Sequence, residues 1–212
     1  MRVIIKDTSK EVAQWAAAYI VEQIKAKEAK TDAPFVLGLP TGSTPLETYK
    51  ELIRLHKAGE VSFKNVVTFN MDEYMTSQTE AVGPEDPLSF YGRMKREFYD
   101  LVREDLVMPE SQRHFPEPGK EAEYDALIEE LGGVDLCLGG LGINGHVAFN
   151  EAAEEEDPIT PDEFADLPTR VLPISRETKT INAYGYNRGD LQGMPQWCVT
   201  VGMKQILCAK KV

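Results

Sequence analysis

"PFVLGLPTGSTPLETYKELIRLHKAG", residues 34–59, decides the class of fold. It opens on a short continuous apolar run, the pattern of a strand buried on both faces. The run ends in Thr41-Gly42-Ser43-Thr44. A helical stretch follows, with Thr44 able to cap it, Pro45 at its first position and Gly59 to stop it. Strand, glycine-bearing turn and helix in direct succession begin a β-α-β unit. Working outward, "RVIIK" (2–6) reads as a strand. "SKEVAQWAAAYIVEQIKAKEAK" (9–30) reads as a helix, with Ser9 as N-cap and Val12, Ala16, Ile20 and Ile24 at fourfold spacing. "NVVTFNMDEY" (65–74) is a third strand. "SFYGRMKREFYDLV" (89–102) and "KEAEYDALIEELGG" (120–133) are helical, and "GVDLCLGGLG" (133–142) is a buried strand. The tail "QWCVTVGMKQILCAKKV" (196–212) adds a strand and a short helical turn. This order predicts a single α/β domain over 1–212, built on an open, largely parallel sheet with helices on both faces and right-handed crossovers. No internal repeat is visible. Residues 152–168 are acidic, bear prolines and have no period; they read as a surface loop or lid.

Composition narrows the function. Of 212 residues, 42% are hydrophobic and 27% charged, enough apolar matter for a core. No apolar run approaches the ~20 residues of a membrane span. The N-terminus lacks the apolar block and cleavage site of a secretory signal, which points to the cytoplasm. A net charge of −12 without a clustered basic surface argues against nucleic acid. The same charge means that an anionic ligand must be met by local groups. Cys137, Cys198 and Cys208 lack C-x-x-C spacing and fit reduced thiols. His56, His114 and His146 lie too far apart for metal-ligand spacing, so no metal is expected.

In open α/β sheets, ligands bind beyond the carboxyl ends of the strands, and three such ends carry candidate chemistry. At the first, Gly42 lets backbone N–H groups approach an anion. Thr41, Ser43 and Thr44 add hydroxyls, and the helix start adds partial positive charge. This is a phosphate cradle made of neutral groups, or else a capped tight turn. At the second, "TFNMDEY" (68–74) places Asp72 and Glu73 after an apolar strand, where a carboxylate is partly desolvated and suited to act as a base. Adjacent residues on extended chain point opposite ways, so one of the pair should face the site. At the third, "GGLGINGHVAFNE" (139–151) contains a literal G-x-G-x-x-G. A dinucleotide site would need a helix after Gly145 and an acidic strand end ~20 residues on. The acidic, proline-bearing segment stands there instead. The glycines read as a turn that presents His146, with an acid nearby to set its tautomer and pKa.

Three motifs in this order, "GLPTGSTP" (38–45), "FNMDEY" (69–74) and "GINGHVAFNEA" (142–152), resemble the glucosamine-6-phosphate deaminase family. The resemblance runs from near the N-terminus to the "TVG" segment of the tail. It implies a Rossmann-like, sugar-phosphate isomerase type of fold. It also implies isomerisation coupled to loss of ammonia, a reaction at a C–N bond classed among the hydrolases of amino-sugar metabolism and N-acetylglucosamine catabolism. The partner would be a small amino-sugar phosphate, and no cofactor or metal is implied. By the same resemblance Asp72 moves the proton between C2 and C1, His146 assists ring opening, and Glu151 and Asn144 hold and tune it. Thr41, Gly42, Ser43 and Thr44 line the sugar-phosphate pocket, with Glu73 and Lys179 as further binding candidates. Residue 144 is Asn where some members have Asp, and residue 152 is Ala where Pro is usual. In "TKTINAYGYN" (178–187), Tyr184 stands where a phosphate-binding Arg is expected, leaving Lys179 or Arg188 to replace it. The chain is expected to be shortened, without the family's last strand and helix. The sheet edge so exposed would favour a homo-oligomer. Two other readings are a 6-phosphogluconolactonase-like hydrolase, which needs no carbon base, and a non-catalytic sugar-phosphate sensor.

Overall fold

The computed structural model describes residues 2–153 and 158–212. Its elements run α1 (Ser9–Glu28), β1 (Phe35–Leu39), α2 (Leu46–Lys57), β2 (Val66–Asn70), β3 (Asp72–Ser77), β4 (Glu80–Ala81) and α3 (Phe90–Glu97). Then come β5 (Arg113–His114), α4 (Glu121–Glu130), β6 (Leu136–Cys137), α5 (Pro161–Ala165), β7 (Arg170–Pro173), α6 (Arg176–Tyr186), β8 (Trp197–Thr200) and α7 (Met203–Leu207). Strands β5-β2-β1-β6 form a parallel sheet, with Phe35 opposite Val66 and Leu39 opposite Asn70. Every residue of β1 and β2 is buried, which is why neither strand alternates in sequence.

Alternate side chains of β1 point to opposite faces. Phe35, Leu37 and Leu39 pack with Ile20 and Ile24 of α1, Leu52 of α2 and Met94 of α3. Val36 packs on the other side, with Tyr124 and Ile128 of α4 and Met203 and Ile206 of α7. Helices therefore cover both faces, the α/β arrangement expected from the sequence. No helix among the described residues is long and apolar enough to cross a membrane.

A second sheet, β4-β3-β8-β7, is antiparallel throughout and was not foreseen. The expected single strand over 65–74 breaks at Met71 between the two sheets. Met71 N–H donates to Leu39 O in one direction (3.1 Å), and Met71 O accepts from Val201 N–H in the other (2.7 Å). The break leaves Asp72 as the first residue of β3, at the corner where the sheets meet.

Other expectations need correction. Residues 2–6 form no strand, and Val3 and Ile5 are 71% and 86% exposed. A strand pattern needs a partner, and the open edge beside β6 is taken by the tail. Cys137 N–H donates to Lys211 O (2.8 Å) and Lys210 N–H to Val134 O (2.9 Å). Asp135 fixes that edge, pairing with Lys27 of α1 (2.5 Å) and Lys210 (2.8 Å) and accepting from Val36 N–H (2.8 Å). The cap of α1 is Thr8 rather than Ser9, in a reciprocal capping box with Glu11. Its buried face is Ala13, Ala17, Ile20, Val21 and Ile24, so Val12 is exposed. Within 152–168, residues 154–157 lie outside the described residues, and the rest carries α5.

Candidate active site

The turn after β1 forms one wall of a cleft of about 270 Å³. Thr41, Gly42, Ser43 and Thr44 all line it. Thr44 does not cap α2. Pro45 holds the cap position without a side-chain hydrogen bond, so the helix start stays open to a ligand. The hydroxyl of Tyr49 ties the turn to α2 by donating to Pro40 O.

Asp72 reaches the same cleft from the sheet corner, where the Thr41 hydroxyl donates to its Oδ1. Asp72 is buried, and burial pushes its carboxyl up to about 7. The Thr41 hydrogen bond pulls the other way, the neighbouring Glu73 adds to the rise and His146 offsets it. A carboxylate near neutrality that faces a cleft is suited to taking and returning a proton.

Glu73 points elsewhere. Its carboxylate accepts from the N–H groups of Tyr74 (2.8 Å), Phe90 (2.9 Å) and Tyr91 (2.8 Å) and from the Ser89 hydroxyl (3.0 Å). It holds the start of α3 and does not line the cleft. Burial still outweighs these four hydrogen bonds and raises its pKa. Lys179 does not line the cleft either; its ammonium donates to Gln196 (2.7 Å). Both were binding candidates in the sequence, and the structure places neither beside the cradle.

The opposite wall is the turn at 140–149. No helix follows Gly145, so the dinucleotide reading fails in structure as it did in sequence. Gly142 N–H donates to His146 O (2.8 Å), and Gly145, at φ +87°, closes the turn onto Gly142 O (3.1 Å). The imidazole lies flat over Gly142, where a Cβ would sit 2.0 Å from Nε2. Only glycine fits there. Ala148, also at the cleft, has φ 55°, a left-handed conformation that costs a non-glycine residue about 1–2 kcal/mol.

Glu151 and Asn144 stand behind His146 rather than in the cleft. His146 Nδ1 is 3.1 Å from Glu151 Oε2 and 3.1 Å from Thr178 Oγ1. Thr178 donates to Glu151 Oε1 (2.6 Å), and Asn144 donates to Oε2 (2.5 Å). Burial would raise the Glu151 carboxyl. The hydrogen bonds from His146, Thr178 and Asn144 overcome it and hold the pKa down to about 2. An ionised Glu151 at Nδ1 orients the ring and leaves Nε2 for a ligand.

The segment 178–187, singled out in the sequence only for Tyr184, supplies Asn182 and Tyr186 to the cleft and Thr178 to the group behind His146. Thr178, Asn182 and Tyr186 come from α6, which approaches from the far end of the chain. Asn182 donates to the Tyr74 hydroxyl (2.8 Å) and lines the cleft. The Tyr186 hydroxyl accepts from Ser43 N–H (2.8 Å) and donates to Ser43 Oγ (3.0 Å). Tyr184, at the expected arginine position, is 82% exposed and does not line the cleft. The helical amphipathicity of 176–186 was the one signal that could have placed Thr178, Asn182 and Tyr186 along one helix.

Comparisons with known proteins place the chain among sugar-phosphate enzymes. The family model for glucosamine-6-phosphate isomerases/6-phosphogluconolactonase matches residues 7–161. A glucosamine-6-phosphate deaminase of Serratia proteamaculans (strain 568) is 42% identical over 219 residues, covering 100% of this chain and 75% of the relative. One from Actinobacillus pleuropneumoniae serotype 5b (strain L20) is 39% identical over 217 residues, covering 100% and 74%. Among solved structures, a monomeric glucosamine-6-phosphate deaminase superposes with a TM-score of 0.82 at 30% identity, covering 99% of this chain and 79% of that one. A 6-phosphogluconolactonase from Plasmodium vivax, at 19% identity and a TM-score of 0.60, shares the fold; the match covers 94% of this chain and 70% of that one. The chain thus spans about three quarters of the curated relatives it matches.

Proposed function

The chain belongs to the glucosamine-6-phosphate isomerase/6-phosphogluconolactonase family, and from that premise we propose that it is a glucosamine-6-phosphate deaminase. The observation that carries this reading is the pairing of Asp72 and His146 across one cleft, with the phosphate cradle at 41–44 beside them. His146, oriented by Glu151, takes the proton of the C1 hydroxyl and gives it to the ring oxygen, so the bond from C1 to the ring oxygen breaks and the aldehyde forms. Asp72 takes the proton from C2 as the substrate's ammonium group protonates the C1 oxygen, which gives an enolamine, and it returns the proton to C1 to leave an imine at C2. Water then attacks C2 of the resulting imine, the C–N bond breaks, and fructose 6-phosphate and ammonia leave. Each positioned proton transfer contributes about 10²–10⁴-fold.

Asn144 suits a holding role, since its amide donates to Glu151 and its side-chain oxygen accepts from His146 N–H (3.2 Å). Thr178 shares that role from α6. We also assign the chain to one α/β domain and to the cytoplasm. The cytoplasmic reading is supported by three free cysteines, of which Cys137 is buried with its thiol pushed up to about 12 by desolvation.

The test is direct. Glucosamine 6-phosphate is incubated with the protein while ammonia and fructose 6-phosphate are followed together. Both should appear in equal amounts. Asp72→Asn should abolish turnover and leave ligand binding nearly intact. Hydrolysis of 6-phosphogluconolactone without ammonia release would move the chain to the other activity of its family.

A further inference from the structure

The cleft that would take the phosphate is lined, among the described residues, by no lysine or arginine. A phosphate monoester carries about −1.5 to −2 charges at neutral pH. Here it would meet the carboxylate of Asp72, in a chain whose own net charge is −12. Neutral N–H and hydroxyl donors can seat such an anion, but they do not supply its counter-charge.

The missing charge stands one ring behind the cradle. Arg93, on the first turns of α3, places its guanidinium carbon 4.2 Å from the centroid of the Tyr186 ring and 5.8 Å from that of Phe90. Tyr186 and Phe90 both line the cleft. Arg93 is half-buried, and its side chain makes no ion pair or hydrogen bond among the described residues. Lys95 of the same helix, by contrast, pairs with Asp100 (2.6 Å), and Arg96 stacks on neither ring of the cleft. An arginine shelved on an aromatic face stays partly desolvated and oriented while keeping its donors unspent. The same ring carries the hydroxyl that occupies Ser43 N–H and Oγ, where an anion's oxygen would otherwise sit.

We propose that Arg93 is the cation that binds the substrate's phosphate, and that the Tyr186 hydroxyl holds the phosphate's seat until the phosphate displaces it. The phosphate takes Ser43 N–H from the phenol. The released ring uncovers the guanidinium, which pairs with the phosphate oxygens. α3 gives Arg93 a fixed base, because Glu73 and Ser89 anchor the helix start. This inference rests on the cradle assignment of the deaminase reading, but its anion can be tested apart from the reaction.

The probes are inorganic phosphate, followed by calorimetry, and glucosamine 6-phosphate, followed by turnover. Arg93→Gln should weaken phosphate binding about 10- to 100-fold, the loss expected for a charged hydrogen-bond partner. Arg93→Lys should recover part of it. The KM for glucosamine 6-phosphate should rise in parallel, with most of the loss in KM rather than kcat. Tyr186→Phe should tighten phosphate binding severalfold, because Ser43 N–H is then already free. Should Arg93→Gln fold poorly, Arg93→Lys and Tyr186→Phe still decide the matter. Phosphate affinity unchanged by Arg93→Gln, or no phosphate binding by the unaltered chain, overturns the proposal. Weaker binding by Tyr186→Phe overturns the placeholder role. If phosphate binds through Arg93 but no ammonia is released, the deaminase reading fails and this one stands.

Discussion

At Asp72, catalysis and stability pull in opposite directions. The base must be ionised to take a proton, and burial raises its pKa to about 7. Activity, measured as kcat/KM, should therefore fall as pH drops through about 7. Stability runs the other way. The folded chain binds this proton more tightly than an unfolded aspartate, whose ordinary value is 3.8. The contribution of Asp72 to stability is then fully present below about 4 and is lost as pH rises through about 7. Asp72→Asn removes the buried charge, so the inactive variant should be the more stable one at pH 8, by about 1–3 kcal/mol. The gain should vanish near pH 4. Urea midpoints at both pH values check this, and equal midpoints at pH 8 would count against a desolvated carboxylate. The motifs made Asp72, His146 and Glu151 legible because Asp72 directly follows a buried apolar strand and the other two flank a glycine turn, and such local patterns state their geometry. Arg93 and Tyr186 were not legible. Ser43 and the phenol that meets it are 143 positions apart, and neither the turn motif around Ser43 nor the segment around Tyr186 names the other as its partner.

Single elements show why the sites lie where they do. Helix α3 begins where Glu73 gathers two of its first N–H groups and the Ser89 hydroxyl. The carboxylate thus acts as an anchor between β3 and α3, with the charge at the favourable end of the helix. Glu73→Gln keeps the shape but turns an amide donor toward groups that are themselves donors. It should lower stability by about 1–3 kcal/mol, read as a drop in the urea midpoint. An unchanged midpoint would mean that the carboxyl is protonated or that the anchor is idle. The sequence suggested that only one of the two adjacent acids faces the site, and alternation along β3 is the reason. Strand β1 and helix α2 were readable for the same kind of reason, since period and punctuation are local. The break at Met71 was not, because residues buried on both sides of it erase alternation. Nor was the fate of residues 2–6, since β propensity describes a pleated surface and cannot name the edge it will pair with.

Across the whole molecule, the sequence pattern revealed the parallel sheet and its helices, while the antiparallel sheet came only with long-range pairing of β3, β8 and β7. That second sheet brings α6 over the cleft, and with it Thr178, Asn182 and Tyr186. Apart from Asp72 and His146, the described residues that line the cleft are neutral, in a strongly acidic chain. The consequence reaches the encounter with substrate. At ~0.01 M ionic strength the screening length is about 30 Å, so a doubly charged sugar phosphate diffusing inward is repelled by nearly the entire surface. At ~0.15 M it shrinks to about 8 Å, and only groups at the mouth of the cleft still act. Adding salt over this range should therefore speed capture, raising kcat/KM, where an enzyme that draws in its anion by a positive field would slow. A monotonic fall would mean that the guanidinium behind Tyr186 governs even the distant approach.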